Sequence, residues 1–329
     1  MRFGQSQRTL AALAVGGLLL AGCTTGEPTG GDAGGQSPEA LGSGPLTFAV
    51  VTHSKPGDTF WDVVKSGAEQ AGTDLGVTVN YAGDPDPAQQ SQLIDNQVAQ
   101  GVDGIIVSMA NPEGVRSGVE AAVDAGIPVV TINSGLEQSQ EYGAITHVGQ
   151  GERLAGEAAG ERLDESGAAK AICVIHEAGN VGLEDRCAGA AKTFGGEMEN
   201  LQVDVSNAAD ARTTIQNKLI SDTDVDAVLT LNPGIATAAV GAAADADSDA
   251  AIATFDVSAD ITKALTDGTV LFAIDQQPYV QGYLPVTLLA LKARNGNDVG
   301  GGQPVYSGPA FITKENAEQV QAFADQGTR

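Results

Sequence analysis

Positively charged residues are scarce in this chain of 329 residues. Its 17 Lys and Arg stand against 42 Asp and Glu, which gives a net charge of -25. Such a chain repels phosphate backbones, so the composition argues against a nucleic-acid partner. Histidine is scarce as well, since His53, His147 and His176 are the only three and none has metal-ligand spacing. We therefore expect neither nucleic-acid binding nor a metal site.

The sequence motifs of common enzyme classes are missing too. No G-x-G-x-x-G loop follows a predicted strand, and there is neither a P-loop nor a G-x-S-x-G turn. Asp245, Asp247 and Asp249 suggest a calcium loop, but Ala250 stands where such a loop needs glycine, so a solvated turn is the better interpretation. We expect that the chain is not an enzyme and needs no cofactor.

Cysteine occurs only three times, and the first one follows a short apolar run. The run, Leu10–Leu20, has a positive flank and is too short for a comfortable transmembrane helix. The sequence LAGC at 20–23 resembles the lipobox of bacterial lipoproteins, which are cleaved before the cysteine and carry lipid on its sulfur. The resemblance implies a signal peptide over residues 1–22 and a lipidated Cys23. An ordinary signal peptide and a short anchor are the alternatives.

Two further features concern the mature chain. Residues 23–44 are rich in Gly, Thr, Ser and Pro and cannot bury much apolar surface, which predicts a flexible tether. Cys173 falls on a predicted strand and Cys187 near a predicted helix start. Outside the cytosol two remaining cysteines favour a disulfide bond, with two buried thiols as the alternative.

The chain is rich in short apolar strands that alternate with amphipathic helices. Residues 102–133 read as strand, helix and strand, and the same pattern returns 123 residues later. Asn133 then matches Asp256, and His53 matches His176. The repeat predicts two similar, doubly wound α/β lobes whose strand carboxyl ends face a shared crevice.

Polar residues follow these strand ends, where ligands of open α/β sheets bind. Carboxylate and amide oxygens accept hydrogen bonds from hydroxyl groups, Arg and amide N–H groups donate them, and aromatic faces pack on C–H surfaces, which suits a sugar or polyol. Phe60 and Trp61 are adjacent and cannot both face the core on one helix stripe, so one of them is expected to face the cleft. The candidate ligand-binding residues are Asp58, Phe60, Trp61, Asn133, Arg186, Asn232, Asp256 and Gln276.

Most of these polar candidates also have a simpler interpretation. Asp58 precedes a helix and can serve as its N-cap, as a ligand residue or as both. Asn133, Asn232 and Asp256 can be turn residues at strand ends. Arg186 follows two acidic residues and can belong to a surface ion pair.

Several motifs resemble the ribose/galactose type of periplasmic substrate-binding proteins, the ligand-capturing components of sugar ABC importers. The resemblance covers residues 46–313 and implies a type I periplasmic binding protein. It implies that the candidate residues other than Asn133 contact the ligand. At positions 133–134 that family has an acid followed by Arg, whereas this chain has Asn133-Ser134, so the identity of the sugar stays open. The motifs are GDTFWD at 57–62, GIPVV at 126–130, TFD at 254–256, DQQPY at 275–279 and QGY at 281–283.

The resemblance also implies a three-segment hinge. Its crossings would fall near residues 148–150, 276–278 and 308–309, where the strand and helix pattern is also broken. The predicted lobes are an N-terminal one of residues 45–148 and 277–308 and a C-terminal one of residues 149–276 and 309–329.

The implied function is ligand capture by hinge closure, after which the closed form docks on an ABC permease. The expected partners are a sugar or polyol, the permease and, through the lipid anchor, the outer face of the cell membrane; the protein is expected to be a monomer. A ligand-presenting partner of a membrane sensor or chemoreceptor is the alternative. A sugar-responsive regulator of the same fold would need a helix-turn-helix before residue 46, where a signal sequence stands instead.

Overall fold

The computed structural model describes residues 44–55 and 57–329. The predicted signal peptide, Cys23 and all but the last residue of the predicted tether lie outside this part of the chain. None of the helices in the described part has the length and apolar character that a membrane span requires.

The first half of the described chain alternates strands with capped helices. Asp58, Asp86 and Asn111 accept hydrogen bonds from first-turn N–H groups of three helices, because each side chain stands at an N-cap. The elements are β1 (Thr47–Thr52), α1 (Thr59–Leu75), β2 (Thr78–Gly83), α2 (Pro87–Gln100), β3 (Gly104–Ser108), α3 (Pro112–Asp124), β4 (Val129–Ile132), α4 (Leu136–Ser139) and β5 (Thr146–Gly149).

The second half repeats this arrangement. Asn180, Asn207, Asn232 and Ser258 cap four of its helices in the same way. The elements are α5 (Glu152–Glu165), β6 (Lys170–Ile175), α6 (Val181–Thr193), β7 (Glu197–Gln202), α7 (Ala208–Ser221), β8 (Ala227–Thr230), α8 (Pro233–Asp245), β9 (Ala251–Phe255), α9 (Ala259–Asp267) and β10 (Ala273–Asp275).

The remaining elements, α10 (Pro278–Asn295), β11 (Val305–Tyr306), β12 (Ala310–Ile312) and α11 (Ala317–Asp325), complete both lobes. The first sheet has the order β11-β5-β4-β3-β1-β2 and the second β12-β10-β9-β8-β6-β7. Only β12 pairs in antiparallel fashion among these strands. Buried apolar side chains form two clusters in each lobe, because a parallel sheet is covered on both faces. The matching strand orders confirm the prediction of two similar, doubly wound lobes.

Three short segments connect the lobes, at residues 150–151, 276–277 and 307–309. The helix α10 follows the second of them and packs closely on α1 of the first lobe. A Cβ atom on Gly67 would lie 2.2 Å from the carbonyl oxygen of Tyr279, and one on Gly282 would lie 1.9 Å from that of Val64. The glycine of the QGY motif is therefore required by the approach of two helix backbones.

Candidate functional site

A small cavity lined by buried residues lies where the carboxyl ends of the strands of both lobes meet. Its volume is about 30 Å³, and none of its lining residues is more than 8% exposed. All eight residues that the sequence suggests as ligand contacts line it. The other lining residues are His53, His176, Glu177, Asn180, Leu183 and Leu231.

A larger cavity of about 600 Å³ lies beside two of the connections between the lobes and has a more exposed lining. The exposed side chains of Leu154 and Tyr306 line it. The one buried charged residue among its lining residues, Glu152, is already bound to Arg186. The smaller cavity, whose lining is buried, is therefore the candidate ligand site.

Asp58 and Asn232 each cap a helix and also face one another across the two lobes. Asp58 Oδ1 accepts hydrogen bonds from the backbone N–H of Phe60 at 3.1 Å and from Asn232 Nδ2 at 3.2 Å. Asn232 Oδ1 accepts from the backbone N–H of Gly234 at 2.8 Å. For both residues, capping a helix and lining the cavity are therefore compatible roles.

The aromatic pair Phe60 and Trp61 is buried as a unit in the first turn of α1. Their rings meet edge to face with centroids 5.0 Å apart, and Trp61 meets the His53 ring at 4.7 Å in the same manner. The prediction that the two adjacent residues cannot share the core is wrong, because both belong to one apolar cluster. Both also line the cavity, since the start of α1 faces it.

Asn133, Gln276 and Asp256 form a hydrogen-bonded chain along the cavity. Asn133 Nδ2 donates to Gln276 Oε1 at 3.1 Å, and Gln276 Nε2 donates to Asp256 Oδ2 at 2.9 Å. Asn133 and Asp256 end β4 and β9 with left-handed φ angles of 61° and 65°, a conformation that Asn and Asp tolerate better than most residues. The equivalence of these two positions in the repeat therefore extends to their backbone conformation.

Arg186 does not form the surface ion pair that was one interpretation of its sequence. It is 2% exposed, and its Nε and Nη2 atoms donate to the Glu152 carboxylate at 2.5 Å and 2.9 Å. Its guanidinium also lies 4.7 Å from the centre of the Phe255 ring. Sequence reasoning missed Glu152, because its position 34 residues before Arg186 has no local signal.

His53, Glu177 and Asn180 form a contact between the lobes that sequence reasoning also missed. His53 Nε2 lies 3.6 Å from Glu177 Oε2 and 3.4 Å from Asn180 Nδ2. Burial, with the nearby charges of Lys55 and Arg186, lowers the pKa of His53 to about 3, so the ring is neutral. The match of His53 with His176 in the repeat was the available signal, because both follow strand ends and both line the cavity.

Three lining residues keep a buried polar atom without a hydrogen-bond partner in the described part of the chain. These atoms are His176 Nδ1, Glu177 Oε1 and Asp256 Oδ1. Buried polar groups are costly unless they are paired, so such atoms in one cavity indicate groups that a bound molecule would satisfy.

Carboxylates outnumber cations around the cavity. Asp58, Glu177 and Asp256 line it, whereas the lining cation Arg186 is paired with Glu152. Burial raises the pKa of Asp58 to about 6 and that of Asp256 to about 7, although the Arg186 charge opposes the second shift. This excess of carboxylates disfavours an anionic ligand.

Within residues 44–55 and 57–329, no group of three or more His, Cys, Asp and Glu side chains is placed to hold a metal ion.

Two α/β lobes of equal topology around a buried polar cavity define a two-lobed ligand-binding protein. The chain belongs to the family described as periplasmic binding protein domain, which matches residues 48–298. The resemblance seen in the sequence motifs and the type I fold that it implies are thereby confirmed.

Similar proteins span nearly the whole described chain. A carbohydrate transporter from Acidothermus cellulolyticus 11B, solved in complex with myo-inositol, is 43% identical with a TM-score of 0.86, and the match covers 87% of this chain and 100% of that one. The ribose import binding protein of Haemophilus influenzae is 27% identical over 251 residues, or 73% of this chain and 82% of that protein. A glucose-galactose binding protein from Geobacillus stearothermophilus shares the fold at 22% identity and a TM-score of 0.72, covering 83% of this chain and 99% of that one.

Proposed function

We propose that the protein is an extracytoplasmic solute-binding lipoprotein that captures a neutral monosaccharide or related polyol and delivers it to an ABC permease. The observation that carries the proposal is the set of unpartnered buried atoms on His176, Glu177 and Asp256, which line one cavity. Polyol hydroxyl groups donate and accept hydrogen bonds, so they match both the carboxylate oxygens and the ring nitrogen.

The lining selects the chemical class of the ligand. Phe60 and Trp61 supply apolar surface for the C–H groups of a ring, and Asp58, Glu177 and Asp256 supply acceptors for its hydroxyl groups. The excess of carboxylates excludes sugar acids and sugar phosphates by repulsion. A cyclitol is the first ligand to test, because the relative of 43% identity was solved with myo-inositol.

Capture requires that the lobes separate and close. Lining residues come from both lobes, and the cavity of about 30 Å³ is sealed by contacts such as Asp58 with Asn232 and Lys55 with Asp204 at 3.4 Å. A cavity of this size has room for about one water molecule, so a monosaccharide needs lobes that stand further apart than in this structure. The ligand enters an open form and is enclosed as the lobes meet around it, and this liganded form is the one that a permease would recognise.

Calorimetric titration with myo-inositol, pentoses and hexoses tests the proposal, with glucuronate as the anionic comparison. We expect at least one neutral polyol to bind and glucuronate not to bind. At pH 8, above the raised pKa of Asp256, Asp256→Asn should weaken binding about 10- to 150-fold, because a hydrogen bond to a charged group contributes about 1.5–3 kcal/mol. Asp245→Asn, which removes a surface carboxylate paired with Arg212, is the control and should bind normally.

Two results would contradict the proposal. If no neutral polyol binds to the folded protein, the ligand class is wrong. If a polyol binds equally well to the Asp256→Asn variant, the ligand lies outside this cavity.

A further inference from the structure

The buried guanidinium of Arg186 packs near the Phe255 ring and has a single hydrogen-bond partner among the described residues, Glu152. Glu152 accepts from Nε and Nη2, in the bidentate geometry that gives Arg–carboxylate pairs their directionality. No described residue accepts a hydrogen bond from Nη1, and Arg186 lines the ligand cavity. The pairing with Glu152 therefore leaves one nitrogen of the group for a ligand.

Glu152 is itself fixed in place by its surroundings. It is the first residue of α5, directly after the first connection between the lobes, and its Oε2 also accepts from Gln150 Nε2 at 2.9 Å. The helices α5 and α6 approach closely here, since a Cβ atom on Gly156 would lie 2.1 Å from the carbonyl oxygen of Arg186. The distance between Glu152 and Arg186 is thus set by backbone packing.

We infer that Glu152 is a positioning residue that keeps the Arg186 guanidinium directed at the ligand. Asp256 and Glu177 are the other carboxylates whose charges act on Arg186. Without Glu152, the long side chain would pair with one of them, because a buried cation requires an anionic partner. Arg186 would then occupy the acceptors that the ligand needs. This inference rests on the proposed function of the cavity.

A second link between α5 and α6 offers a matched control. Glu157 Oε1 accepts from Lys192 Nζ at 2.6 Å, and the Lys192 side chain is 64% exposed. Glu157→Gln removes an ion pair between the same two helices without touching the cavity. A loss of affinity that arises from looser helix packing would appear in both variants, whereas a loss that acts through Arg186 would appear only at position 152.

The test is a double-mutant cycle on the dissociation constant, measured with the neutral polyol that the wild-type protein binds. The variants are Glu152→Gln, Arg186→Gln and the double variant, each first checked for folding by thermal unfolding. We expect Glu152→Gln to weaken binding at least about tenfold, by analogy with the loss of a partner that orients a metal ligand. The double variant should bind no more weakly than Arg186→Gln, and Glu157→Gln should bind normally.

Each other result decides against the inference. Normal affinity of Glu152→Gln, or losses that multiply in the double variant, would show that Glu152 does not act through Arg186. If Glu152→Gln does not fold, the same cycle is run with Glu152→Asp, which keeps the charge on a shorter side chain, and is judged by the same criteria. If the wild-type protein binds no polyol, the proposed function fails, and the inference fails with it.

Discussion

At the scale of single residues, Asp256 shows how a strand end serves two purposes. Its left-handed φ of 65° turns the chain, and its side chain accepts from Gln276 while one oxygen stays unpartnered. Alanine at this position would combine backbone strain with the loss of the carboxylate. Asparagine tolerates this conformation and has nearly the same shape as aspartate. Asp256→Asn therefore removes the charge and keeps the turn.

The ligand-free stability of Asp256→Asn should depend on pH in a defined direction. Burial raises the pKa of Asp256 from 3.8 to about 7, so its contribution to wild-type stability is fully present below pH 3.8 and is lost as the pH rises through 7. The variant has no titratable group at this position, so it does not lose stability for this reason as the pH rises. It should match the wild-type protein near pH 4 and be more stable above pH 7, by on the order of 4 kcal/mol at most.

Thermal unfolding of both proteins between pH 4 and pH 8 measures this difference. A difference in unfolding temperature that does not change with pH would contradict the prediction. A less stable variant at pH 8 would do so as well, since it would mean that the ionised carboxylate is favourably paired. Combined with weaker ligand binding, the expected result means that Asp256 is kept for function at a cost in stability.

At the scale of elements, β6 and α6 are joined by a disulfide bond. Cys173 and Cys187 lie in these elements with their Cα atoms 5.8 Å apart, and both are buried. Cys187 directly follows Arg186 in the chain, so the bond ties the helix that carries Arg186 to β6, the strand next to the edge of the second sheet.

Replacing both cysteines by alanine should lower the free energy of unfolding by about 3 kcal/mol, the value expected for a loop of about 15 residues in the chain-entropy model. Denaturant unfolding measures the loss. Intact mass with and without reductant should differ by two hydrogens in the wild-type protein and not in the variant. Two freely alkylated thiols in the native, unreduced protein would refute the bond.

Sequence reasoning at this scale found the elements and the edge of the sheet where the site lies, because apolar periodicity and turn residues are local signals. Asn133 and Asp256 were found through the repeat, which places them at matching strand ends. Glu152 could not be found in this way, because its partner Arg186 lies 34 residues away and meets it only through helix packing. Glu177 does lie beside a strand end, but its contact with His53 forms only where the lobes meet and has no local signal.

At the scale of the whole molecule, the proposed lipid anchor and tether would keep the binding lobes beside a membrane-embedded permease. Cys23→Ser removes the sulfur that thioether attachment needs. We expect the wild-type protein, and not this variant, to incorporate a labelled fatty acid in growing cells. The variant should be found uncleaved or released from the membrane. An unlabelled wild-type protein would contradict the anchor and leave the binding function untouched.

The late position of α10, β11 and β12 in the sequence has a consequence for folding during synthesis. A nascent chain of 275 residues already contains the five leading strands of each sheet, yet it lacks the helix that covers α1 and the last strand of both sheets. The first sheet is incomplete until residue 306 has been made, and the second until residue 312. Because contacts between distant parts of a chain form slowly, we expect both lobes to complete folding late, which would suit the export that the proposed signal peptide requires.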